Sequence, residues 1–143
     1  GLYDLRRAKT HGVVTSIATD VGAGTSFSLL QTLNEAYKVQ QLQACTLDPL
    51  TAFYMITLGA ARTLKLEDKI GSLAVGSEAD FVVIDYQAQH LQALRMQYLQ
   101  RTGHWNLENL LFGLMILGDA RNIEATYLMG VDTASGIQGL RSA

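Results

Sequence analysis

Asp20 is the side chain in this sequence best placed to do chemistry. It follows Val13-Val14-Thr15-Ser16-Ile17-Ala18, a small, β-branched, weakly polar run of the kind that forms a parallel strand covered on both faces. A carboxylate at the C-terminal end of such a strand points into the crevice where α/β folds hold their ligands. The competing reading is local: an Asp before a glycine loop also serves as a turn former or a cap. Gly22-Ala23-Gly24 then leads toward a helix, but position 27 is Phe27, so the third glycine of a dinucleotide fingerprint is missing. No phosphate loop ending in Gly-Lys-Ser or Gly-Lys-Thr is present either. The glycines therefore read as a tight turn beside a ligand or under the next helix.

Other chemistry-bearing residues are scattered. His11, His90 and His104 show no metal-ligand spacing and read as surface residues. The single cysteine, Cys45, excludes a Cys-x-x-Cys metal site and an internal disulfide, and reads as a small buried hydrophobe. Asp119 and Arg121 sit at the spacing of an ion pair across a turn.

The elements that must position Asp20 follow from periodicity. An amphipathic helix is expected over Tyr3 to Thr10, stopped by Gly12. After the strand and the glycine turn, Thr25 or Ser26 caps a helix carrying Phe27, Leu30, Leu33 and Tyr37 on one side. Asp48 and Pro49 open another helix, with Leu50, Phe53, Tyr54, Thr57, Ala61 and Leu64 on its apolar face and its end near Lys65. Phe81-Val82-Val83-Ile84 is the clearest strand, bracketed by Asp80 and Asp85. Leu107, Leu110, Leu111, Leu114 and Met115 recur at the spacing of a core-facing helix. A last strand runs from Ile123 to Met129, and the tail from Asp132 carries weak structural signals. Alternating strands and helices favour an α/β fold.

Bulk properties narrow the partners. Eleven basic and thirteen acidic side chains give a net charge of -2, without the basic run that tracks a nucleic-acid backbone. The apolar stretch Leu110 to Leu117 is interrupted by Gly113 and is far shorter than the roughly 20 residues of a membrane span. No nucleic acid and no membrane are thus expected as partners, and a reducing cytoplasm is the default location. The sequence begins at Gly1 and enters a helix directly, which reads as a start inside a larger protein.

Three segments together resemble guanine deaminases, zinc hydrolases of the amidohydrolase superfamily. Thr19-Asp20-Val21-Gly22-Ala23-Gly24-Thr25-Ser26-Phe27-Ser28 is similar to the surroundings of their last metal ligand. The stretch from Ile70 to Asp85 resembles the return from the barrel to a small β domain found across the superfamily, and Leu117-Gly118-Asp119-Ala120-Arg121-Asn122-Ile123 resembles a stretch before the final strand. Ala18 stands where a glycine is common.

The resemblance implies a C-terminal portion of a (β/α)8 barrel plus part of a small β-sandwich. Residues 1–66 would be the last part of the barrel, 67–87 and 121–133 strands of the small β domain, 88–120 C-terminal helices and 134–143 a loose tail. Val13 to Thr19 would be the eighth barrel strand and Asp20 a ligand of one zinc ion and a catalytic proton carrier. The implied substrate is guanine, hydrolysed to xanthine and ammonia, and the complete protein would be a homodimer. A His-x-His pair, two further histidines, a glutamate and the guanine-binding arginine and glutamine would lie on earlier strands, so this chain alone would be inactive. Two other readings stand beside it: a different amidohydrolase, such as a chlorohydrolase or adenosine-type aminohydrolase, and a non-catalytic barrel remnant that binds or assembles.

Overall fold

The computed structural model describes residues 1–134 as six α-helices and a three-stranded antiparallel sheet. The first helix, α1 (Leu5–Thr10), is capped by the Asp4 carboxylate, which accepts the Arg7 amide at 3.1 Å. Residues 13–20 follow without any strand pairing. The expected parallel strand over Val13–Thr19 is therefore not formed among the described residues. A strand exists only through its neighbours, and here the segment is tied instead by Val13 N–H to the Ala8 carbonyl at 2.9 Å, Ile17 N–H to the Met55 carbonyl at 3.2 Å and a Thr15–Tyr3 hydroxyl bond at 2.7 Å.

The N-cap position of helix α2 (Leu29–Leu42) is Ser28 rather than Thr25 or Ser26; the Ser28 side chain makes no capping bond, and its amide donates to the Ser26 hydroxyl. Leu30 and Leu33 are buried and Tyr37 packs on the core as expected, but Phe27 precedes the helix and is 84% exposed. Asp48 caps α3 (Pro49–Ile56) by accepting the Thr51 amide at 2.9 Å, with Pro49 in the first turn, where its missing N–H costs nothing. Hydrogen bonding from the Thr51 side chain, helped by its amide, holds the Asp48 carboxyl below its usual pKa.

The single helix expected from Pro49 to Lys65 is two helices. Thr57 adopts φ -122° and ψ -110°, and α4 (Leu58–Leu64) starts afresh beyond it. The Thr57 hydroxyl donates to the Phe53 carbonyl at 2.8 Å, taking an acceptor that a continuous helix would offer to a backbone N–H. The break resets the buried face: Ala52 and Met55 point inward, while Leu50 and Leu64 are exposed. Past α4, turns lead to β1 (Phe81–Ile84), then come α5 (His90–Arg101) and α6 (Leu107–Leu117). A short 3₁₀ turn over Ala120–Asn122 precedes β2 (Ile123–Leu128) and β3 (Val131–Asp132).

In the sheet β2 lies between β1 and β3. Phe81 faces Tyr127 across β1 and β2, and their rings stack with centroids 4.6 Å apart. Met129 and Gly130, at φ 51° and 78°, make the tight turn that pairs β3 back onto β2. The chain at Asp132 is thus still in the sheet rather than in a loose tail, and residues 135–143 of that expected tail lie outside the described residues.

The core sits where α2, α3 and α6 meet. Leu33 and Met115 are fully buried there, joined by Leu47, Ala52 and Met55, and the Tyr37 and Phe112 rings meet edge to face at 5.7 Å. Leu114 and Met115 face inward as the spacing predicts, whereas Leu107 is 61% exposed at the first turn. A cleft of about 540 Å³, lined in part by Leu5, Val14, Ile17, Ala36, Val39 and Met55, opens beside this core under residues 13–17. No helix among the described residues is long and apolar enough to cross a membrane.

A buried amide network docks the sheet onto the helices. Asn122, fully buried, donates to the Asp85 carbonyl at 2.6 Å and to the Gln92 side-chain carbonyl at 2.8 Å, and accepts from Gln92 and from the Asp119 amide. Gln92 also donates to the Leu117 carbonyl at 3.1 Å. Among the described residues no buried side-chain polar atom is left without a partner. Asn122→Leu should strand several of these groups and cost about 2–4 kcal/mol. Adding Gln92→Leu should cost less than the sum of the two single losses, because it removes groups the first change stranded. Denaturant titration of both single variants and the double variant checks this; strict additivity would contradict it.

Candidate functional site

Asp20 stands at the end of the unpaired segment, exposed, at φ 50°. Its backbone carbonyl is occupied, accepting from Ala23 N–H at 3.0 Å and Gly24 N–H at 2.6 Å. Its carboxylate makes no hydrogen bond or ion pair with another described residue. The turn is therefore built by the backbone of Asp20 and leaves the side chain free for a ligand. That separates the two readings open at the level of sequence: the residue forms the turn, but its carboxylate is not what holds the turn.

The turn is tight because two glycines permit it. Gly22 lies at φ +109°, a conformation that side chains rarely adopt. At Gly24 an added Cβ would overlap the Thr19 carbonyl oxygen and lie 3.0 Å from that of Asp20. Beyond it the Ser26 hydroxyl donates to the Gln31 side-chain carbonyl and accepts the Ser28 amide at 3.0 Å, closing the loop onto the first turn of α2.

The remaining candidates resolve as structural. His11, His90 and His104 are exposed and lie on separate elements, and His11 bonds the Arg7 carbonyl at 2.8 Å. Cys45 is half-buried between α2 and α3 rather than fully buried, its sulfur 3.9 Å from the Thr46 carbonyl. Asp119 and Arg121 do pair, at 2.6 Å, and hydrogen bonds from Arg121 hold the Asp119 carboxyl below the usual carboxylate range. Among the described residues no three His, Cys, Asp or Glu side chains gather to hold a metal. Asp20 offers one hard oxygen donor with no competing protein partner, which suits a zinc ligand but supplies only one of the three or more such a site takes.

The feature that sequence reasoning missed is the set of side-chain amides around the end of α6. Gln89, Gln92, Asn34 and Asn122 all look like surface residues by type, and no periodicity marks them.

The amidohydrolase family profile matches residues 1–131. The chain belongs to the amidohydrolase family. This amidohydrolase chain is 48% identical over 130 residues to the guanine deaminase of Escherichia coli K12, a match covering 91% of the chain and 28% of that enzyme. It superposes on the solved structure of E. coli guanine deaminase with a TM-score of 0.85 at 47% identity, covering 92% of the chain and 30% of that structure. On the guanine deaminase of Bradyrhizobium japonicum the TM-score is 0.80 at 34% identity, over 92% of the chain and 34% of that structure. The chain thus spans about 30% of its relatives' length and matches a fragment of guanine deaminases. The mixed α/β architecture expected from the sequence is the one observed, and these barrel enzymes are its structural neighbours.

The amidohydrolase turn at Asp20 makes a steric prediction. In the full-length protein Gly24→Ala should displace the Thr19–Asp20 backbone and leave helix content unchanged. Circular dichroism should overlay that of the parent while a crystal structure of the variant shows the turn rebuilt; an unmoved turn would contradict the assignment.

Proposed function

We propose that the chain is the C-terminal part of a zinc-dependent guanine deaminase, which hydrolyses guanine to xanthine and ammonia. The observation that carries the reading is the 48% identity to a guanine deaminase over 91% of the chain. It includes the segment where Asp20 opens a glycine turn with a carboxylate that bonds no other described residue. Identity at this level over nearly the whole chain favours guanine deaminase over the chlorohydrolase, adenosine-type and non-catalytic readings.

In this reading zinc, when bound, supplies a water whose pKa is lowered to about 7, so that hydroxide is available near neutrality. The chain's contribution is Asp20. One carboxylate oxygen of Asp20 would help hold the metal, and the carboxylate would accept a proton from the attacking water and hand it toward the departing amine, so that guanine and water would give xanthine and ammonia. Both roles need a carboxylate, since an amide can coordinate weakly but cannot carry the proton. The other metal ligands and the groups that recognise guanine belong, in this proposal, to earlier strands. A homodimer and a cytoplasmic location are part of the same proposal, carried by the family resemblance.

Asp20→Asn in the full-length protein should reduce turnover by about 10³-fold or more with the unfolding midpoint little changed, since shape is kept and the proton acceptor is lost. Steady-state xanthine formation by the purified variant measures this. Turnover equal to that of the parent would leave Asp20 as a turn residue only. The 143-residue chain by itself, loaded with zinc, should form no xanthine, because one carboxylate does not make a zinc site.

A further inference from the structure

The segment that carries Asp20 is tied upstream to α3 and downstream to α2, and both helices pack on α6. Upstream, Ile17 N–H is held by the Met55 carbonyl at 3.2 Å, and the Met55 side chain packs in one cluster with Met115 of α6. Downstream, Ser26 binds Gln31 and the start of α2, and five residues after Leu29 the Asn34 amide donates a 2.7 Å hydrogen bond to the Ile116 carbonyl. One turn before Asn34, Leu30 is buried against Gly118, where an added Cβ would come within 2.9 Å of the Leu30 Cδ1. An open groove of about 350 Å³ has Thr25 and Ser26 of the Asp20 loop on one wall and Leu117, Gly118 and Asp119 on the other.

We propose that Asn34 is a positioning residue for Asp20: its amide, anchored on the Ile116 carbonyl, fixes α2 along its axis and thereby the glycine turn that presents the carboxylate. The inference rests on the reading of Asp20 as a metal ligand. The physical reason is that the last carbonyls of a helix have no intrahelical donor and take one from outside if buried. Apolar contacts between two helices resist separation but tolerate sliding, whereas a short hydrogen bond to one carbonyl specifies register. The loop between Asp20 and Leu29 is too closely tied by Ser26 and Gly24 to absorb a slide of α2 without moving the turn. A shift of about 1 Å at a reacting group costs on the order of a hundredfold in rate.

Asn34→Asp keeps the side chain's size, removes the donor and sets a carboxylate oxygen against the Ile116 carbonyl. The test uses the full-length protein and reads zinc affinity by competition with a chelating indicator, kcat and KM for guanine, and the thermal midpoint. Asn34→Asp should weaken zinc binding by about tenfold or more and lower kcat by roughly a hundredfold with KM within about threefold. Leu99→Ala, a buried site on α5 away from the Asp20 segment, should lower the thermal midpoint while sparing zinc affinity and kcat. If Asn34→Asp does not yield folded protein, Asn34→Ala, which leaves room for a water, carries the same expectation. Wild-type zinc affinity and kcat in the folded Asn34 variant, or equal losses in Leu99→Ala, would overturn the proposal. Asp20→Asn measured alongside separates the two claims: unchanged zinc binding there overturns the ligand reading and this inference together. Weakened zinc binding in Asp20→Asn with none in the Asn34 variant overturns the positioning role alone.

Discussion

The C-terminal end of α6 ties α2, α5 and the sheet together. A helix end leaves carbonyl oxygens without intrahelical donors, and burying them unpaired would cost a few kcal/mol. Here Ile116 takes the Asn34 amide from α2, and Leu117 takes the amides of Gln89 and Gln92 at the start of α5. The same Gln92 reaches Asn122, which bonds the carbonyl that follows β1. One short stretch of backbone thereby joins the helix after the Asp20 turn, the helix after the first strand and the sheet itself.

That arrangement explains which parts of the fold could be read from the sequence. The strand at Phe81–Ile84 and the helix at Leu107–Leu117 were legible because an apolar run and a helical spacing state directly what must be buried. Asp48 and Pro49 announced α3 because capping is local chemistry. The break at Thr57 was not legible, since the surrounding spacing still suits one long helix and the same hydroxyl-to-carbonyl bond that Thr57 makes is made by Thr32 inside the unbroken α2. The segment Val13–Thr19 has strand composition, but pairing is a property of neighbours, and no described residue pairs with it. Asn34, Gln92 and Asn122 were invisible because an amide is counted as a surface residue until its partners are known.

Asp20 illustrates the same division. Its type and place suggested either a ligand or a turn former, and the resemblance to guanine deaminases favoured the ligand. The main-chain carbonyl of Asp20 makes the turn with Ala23 and Gly24, and its carboxylate bonds no other described residue. Using the backbone for the turn lets the side chain stay exposed without loosening the loop, as the proposed role of metal ligand requires.

The central claim is that this carboxylate meets a metal ion in the complete protein. The direct measurement is a crystal structure of the full-length protein grown with zinc, with anomalous scattering recorded at the zinc edge. The account predicts one strong anomalous peak within about 2.0–2.2 Å of an Asp20 carboxylate oxygen. A fully occupied peak coordinated entirely by other residues, with Asp20 turned to solvent, would contradict it.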